Sequence, residues 1–222
     1  MKIILNWKYF NLNKYNFHKY FSDIFVKLAF KENYHNISIG FKIISKLDSM
    51  LLVTDCERNI VLIIEVLQSR VEEIDEQSVI NILMAMKTCK YVDFTNFLLK
   101  IDDIVYKSLH SSENNFKFLF KYLHYLSFLD QKLLKKIKNF NEYFRLIQNH
   151  LTNDTIMDYL VSINFLMKKV EIYDEELFQK QFDILIDKLY EKFPDDALYA
   201  SLELIKKYKG EKGLSTLDKN VL

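Results

Sequence analysis

Apolar residues along this chain recur at the i, i+3, i+4, i+7 spacing of helices that each bury one face. One stripe is Val79, Ile82, Leu83 and Met86; the next is Phe116, Leu119, Phe120 and Leu123, extended by Leu126. Ile156, Tyr159, Leu160, Ile163 and Leu166 repeat the spacing. Polar clusters precede these helices: Asp75-Glu76-Gln77-Ser78, Ser111-Ser112-Glu113-Asn114 and Asn153-Asp154-Thr155, with a fourth at Pro194-Asp195-Asp196. Asp, Ser and Asn accept hydrogen bonds from the free N–H groups of a first turn, and acids suit its positive dipole end. A second kind of helix starts at an aspartate with apolar residues three and four places on. Asp130 precedes Leu133 and Leu134, and Asp174 precedes Leu177 and Phe178. Asp93 fits in part, because Asn96 leaves Phe97 alone.

These two helix types form a repeat. Asp93 to Asp130 is a step of 37 positions, and the stretch before each aspartate matches position by position. Ile80 to Met86 lies over Lys117 to Leu123, Cys89 over Leu126, Tyr91 over Phe128 and Val92 over Leu129. The polar clusters recur at about 37 to 42 residues, as stacked helical units require. Asp130 to Asp174 is 44 residues, which places an insertion near Lys168-Lys169. Ile37 to Val53 and Asp55 to Val71 read as an earlier, degenerate pair, preceded by an amphipathic helix over 13–31. In that first helix Phe17, Tyr20, Phe21 and Ile24 read as core or capping contacts. Leu198 to Tyr208 reads as a last helix, ended by Gly210. The expected fold is all-α: a right-handed α-solenoid of antiparallel helix pairs of about 37 residues. Residues 1–35 form a basic and aromatic segment with a helix, 36–209 the repeat domain, and 210–222 a polar tail.

Composition agrees with helices and excludes several functions. Three Gly and one Pro in 222 residues leave too few turn formers for an all-β chain. Apolar runs such as Ile60 to Ile64 fall far short of the ~20 residues of a membrane span. Cys56 and Cys89 make neither a disulfide framework nor a metal site, and read as small core residues. The histidines His18, His35, His110, His124 and His150 are scattered, without metal-ligand spacing, and no phosphate-binding glycine loop exists. No catalytic residue, metal, cofactor or small-molecule substrate is expected. Asp102-Asp103 reads as solvated, since helix neighbours do not face each other.

Net charge is only +1, but it is unevenly spread. Residues 111–152 carry seven basic groups against three acidic ones. Lys117, Lys121 and His124 share one helical face. Lys132, Lys135, Lys136 and Lys138 follow on the first turns of the next helix, with Arg145 two turns on. Joined, these make a cationic surface for phosphates, whose neutralisation releases counterions. Lysine at a helix start opposes the macrodipole, a broken local rule that can mark a functional site. The same lysines also fit a plain solvated face. A second candidate is the N-terminal block, where Trp7, Tyr9 and Phe10 alternate with Lys8 and Lys14; aromatics stack on unpaired bases while lysines hold phosphates.

The segment Ser78 to Leu109 resembles one unit of the heptatricopeptide and octotricopeptide repeats of organellar RNA-handling proteins. Those families often end in a RAP domain and are similar in style to FAST-kinase-like proteins. The resemblance rests on Ile82-Leu83, Met86, Tyr91, Val92, Asp93, Phe97-Leu98, Ile101 and Ile104. It extends over Asn115 to Ile147 and, with its insertion, Thr155 to Leu189. A RAP domain is not expected, because too little chain follows Asp196. The resemblance implies RNA contact in a mitochondrion, with plastid or cytoplasm as alternatives. Residues 1–22 lack acids, as a presequence does, but also lack Arg. The abundance of Lys, Asn, Ile, Tyr and Phe fits an AT-rich genome. Together these suggest a subunit of an apicomplexan mitochondrial ribosome, contacting ribosomal RNA and neighbouring proteins. The competing expectation is a tetratricopeptide-like scaffold that binds partner helices without RNA.

Overall fold

The computed structural model describes residues 17–51, 56–90, 92–111, 116–148, 150, 153–172, 176–177 and 180. Among the described residues the regular structure is helical throughout, and the chain divides into two compact units, Met1–Glu113 and Asn114–Leu222. The first holds α1 (Phe17–Ala29), α2 (Tyr34–Leu51), α3 (Glu57–Ser69), a single 3-10 turn at Val71–Glu73, α4 (Glu76–Thr88) and α5 (Thr95–Ser111). The second holds α6 (Phe116–Leu126), α7 (Gln131–Leu134), α8 (Phe140–Gln148) and α9 (Asn153–Val170).

The aspartates that mark helix starts in the sequence do so in the fold. Asp75 accepts from the Ser78 N–H at 2.6 Å, Asp93 from Thr95 at 2.9 Å and Asp130 from Lys132 at 2.8 Å. Burial works against the Asp75 carboxylate, but the bonds from Ser78 and the nearby His35 outweigh it and hold its pKa below the ordinary value. The Thr95 N–H and hydroxyl do the same for Asp93. Cys56 and Cys89 are buried, as expected of small core residues. The extra length between Asp130 and Asp174 lies in α9, which runs to Val170. It stops where Glu171 turns left-handed (φ 58°) and the Ile172 N–H reaches back to the Met167 carbonyl at 3.2 Å.

Within each unit, helices that start about 40 residues apart in sequence lie side by side in the same direction. In the first unit α2 packs on α4, α1 on α3, and α3 reaches α5. At the start of α2, His35 faces Asp75 of α4 across 3.3 Å. Further along, the Ser38 and Ser78 hydroxyls lie 3.3 Å apart, and Asn81 donates to Ser38 at 3.2 Å and accepts from Lys42 at 3.5 Å. These partners are 39 to 43 residues apart in sequence. Between α1 and α3, Asn59 donates to Ser22 and to Asp23, both at 2.8 Å. At the far end Arg70 donates to the Glu32 carbonyl at 2.8 Å. In the second unit α9 packs on α6, and His124 meets Ser162 across 2.6 Å, 38 residues on.

Several expectations are corrected. α4 is buried on nearly all sides from Ser78 to Met86, with only Met84 half-exposed, rather than along one stripe. A helix covered by several neighbours buries its whole circumference, and the polar Ser78 and Asn81 are tolerated there because α2 satisfies them. Asp102 is buried (2% exposed), while Asp103 is in solvent. Asp102 stands four residues after Leu98 and so takes the next place on the buried face of α5. Tyr20 and Ile24 of α1 are exposed, not core.

Gly40 sets how closely α1 approaches α2. A Cβ there would overlap the buried Phe25 ring of α1. Gly40→Ala therefore destabilises the chain by about 1–3 kcal/mol, against the helix-propensity gain. Urea denaturation measures this, and combining it with Phe25→Leu restores part of the loss. An unchanged or raised midpoint for the single variant contradicts this packing.

Candidate nucleic-acid interface

The cationic stretch of the second unit is built on a helix that breaks. The sequence places Lys132, Lys135, Lys136 and Lys138 on one continuous helix that carries Arg145. The structure instead has α7 of four residues, then a turn, then α8. The Lys136 N–H bonds the Leu133 carbonyl at 3.1 Å and the Ile137 N–H bonds Leu134 at 3.0 Å, a tightening to i, i+3 bonds. The reason is packing. Leu134, Ile137 and Phe140 are all buried and stand three apart. A regular α-helix would turn Phe140 away from the other two, whereas a three-residue period keeps all three inward. Lys135 is thereby the C-cap of α7, and Lys136 and Lys138 lie beyond it. Lys132 remains in the first turn of α7, where the expected conflict with a helix N-terminus stands, whereas Lys135 and Lys136 lie at and past its end.

The candidate residues separate into two groups. Lys117 and Lys121 are exposed on α6, and Lys132, Lys136 and Lys138 are exposed around α7. None of these five side chains has a hydrogen-bond or ion-pair partner among the described residues. The others are engaged. Lys135 donates to Glu171 at 3.1 Å. Arg145 grips Glu142 of its own helix through two bonds of 2.6 and 2.9 Å. His124 is half-buried against Ser162 rather than on the exposed lysine face. Lys8, Lys14, Trp7 and Tyr9 lie outside the described residues.

Two exposed aromatics adjoin this surface and were not singled out from sequence. Phe128 is 39% exposed in the turn after α6, and Phe165 is 51% exposed on α9. The Lys169 ammonium joins them. It donates to the Ser127 carbonyl at 2.7 Å and the Leu129 carbonyl at 2.8 Å, on either side of Phe128, and stands 4.8 Å from the Phe165 ring centre. Phe165 had a legible sign: it lies two residues after Ile163, off the buried stripe. Phe128 did not, because its alignment with Tyr91 reads as a core position of the repeat.

Among the described residues, no cluster of His, Cys, Asp or Glu is suited to a metal ion, and no helix is long and apolar enough to cross a membrane. No protein family, curated protein or solved structure matches the chain.

The Lys169 contact gives a direct test of how α9 is held on α6. Lys169→Met leaves two carbonyls at the end of α6 without their charged donor and lowers stability by about 1–3 kcal/mol. Equilibrium unfolding in urea reads this loss. A midpoint equal to that of the parent protein contradicts the assignment.

Proposed function

We propose that this chain is a non-catalytic RNA-binding and scaffolding subunit of an organellar ribonucleoprotein, in first place the mitochondrial ribosome. In this reading the helices form a right-handed α-solenoid of antiparallel pairs, and the cationic face of the second unit meets the phosphates of ribosomal RNA. The supporting observation is the set of five exposed lysines, Lys117, Lys121, Lys132, Lys136 and Lys138, that no described carboxylate neutralises. Between 116 and 140 the chain has six lysines and a single acid, Asp130, whose carboxylate is engaged at a helix start. Such a surface attracts a polyanion and offers no reacting group. The repeat architecture is supported by the inter-helix bonds, which return to about the same sequence separation in both units.

A second reading, a scaffold for partner helices, draws on one observation. Tyr20, Ile24 and Leu28 of α1 are exposed at i, i+4, i+8, an apolar row of the kind that a partner helix covers.

Salt dependence separates the two. If all five lysines neutralise phosphates on a single strand, affinity falls about a hundredfold between about 50 and about 200 mM salt. Lys132, Lys136 and Lys138 changed together to Glu reduce the slope by about two and abolish binding at physiological salt. Lys135 is left intact because it already pairs with Glu171. RNA association that is indifferent to salt and to this triple change contradicts the proposal.

A further inference from the structure

We infer that Phe128 and Phe165 form a stacking platform for unpaired bases, so that the RNA bound by this surface is single-stranded. The inference rests on the RNA reading above and adds to it the class of nucleic acid and the side chains that meet its bases. Exposed phenylalanines are costly in water, and here two of them are held in place rather than left loose. Lys169 bonds the carbonyls on both sides of Phe128 and lies over the Phe165 ring. His124 stands edge-on to Phe128 with ring centres 5.0 Å apart and meets Ser162, one turn before Phe165. The ammonium thus anchors the backbone around Phe128 and lies over one face of Phe165, and the imidazole packs against the Phe128 ring. Rings that are already ordered lose little freedom on meeting a partner.

The surroundings favour a base over an apolar protein side chain. Lys132 follows Phe128 by four residues and is exposed, as is Lys136 a turn later. The two nearby acids, Asp130 and Glu171, are engaged with the Lys132 N–H and with Gln131 and Lys135. Aromatic faces beside exposed cations match a strand that presents bases and phosphates together. A duplex keeps its bases stacked on one another and offers a ring nothing except at its ends.

The test uses the full-length chain, fluorescence anisotropy, and two labelled probes of equal length: an unstructured oligouridine and a blunt RNA duplex. Phe128→Leu and Phe165→Leu keep apolar volume and remove the aromatic face, and circular dichroism and urea midpoints verify that both variants fold. The expected result is about a tenfold loss of affinity for oligouridine per ring, with the salt slope unchanged and duplex binding unaltered. Phe165→Tyr, which keeps a face, binds as the parent does. If the parent binds oligouridine with steep salt dependence but the leucine variants match it, the platform is overturned while the RNA reading stands. If the parent prefers the duplex, the platform is likewise overturned. If it binds neither probe at low salt, the RNA reading itself fails and the platform with it.

Discussion

Placing a helix beside one that starts about 40 residues earlier, pointing the same way, creates an electrostatic problem that polar and charged side chains answer. Like dipole ends then lie together, and the carbonyls that end each helix have no partners within it. At two such ends the chain supplies a cation from about 40 residues further on. Arg70, just past α3, donates to carbonyls at the end of α1. Lys169, near the end of α9, donates to those after α6. Lys180 reaches the Gln148 carbonyl that ends α8 at 3.3 Å. The Arg70 and Lys169 bonds each join two helix ends and fix the register between them. At the opposite ends, polar partners such as Asn59 with Ser22 and His35 with Asp75 hold the same register.

This use of cations decides which charge is left over for a partner. Counted along the sequence, residues 111–152 carry seven basic groups against three acidic ones. In the fold, Lys169 closes a helix end, Lys135 is drawn to Glu171, and Arg145 closes on Glu142. What remains is a narrower set on α6 and around α7. The contact that locks α9 onto α6 therefore also shapes the surface proposed to bind RNA. In the proposed reading, stability and recognition share one side chain here.

Much of the local architecture could be read from residues alone, because it depends on short-range rules. The aspartate starts at Asp75, Asp93 and Asp130 follow from the needs of a first turn, and the burial of Leu119, Phe120, Leu123 and Leu126 in α6 from helical period. What escaped depends on neighbours distant in sequence. Asp102 reads as solvent-facing until α5 is known to bury the row on which it stands. His124 shares a helical face with Lys117 and Lys121, yet α9 covers it. The break after Leu134 needs the knowledge that Leu134, Ile137 and Phe140 must all point inward, and period alone does not say which of them wins. Phe165 was visible as an aromatic off its stripe, but its link through Lys169 to the turn that carries Phe128 was not.

The lysine and aromatic surface of the second unit is where this chain is proposed to touch RNA. Ultraviolet cross-linking of the native particle, followed by mass spectrometry of the peptides that retain a nucleotide, tests it most directly. Cross-linked peptides from the chain are expected to fall between Phe116 and Lys138 and around Phe165. Cross-links confined to other parts of the chain, or a particle that contains the chain and yields none, would contradict the account.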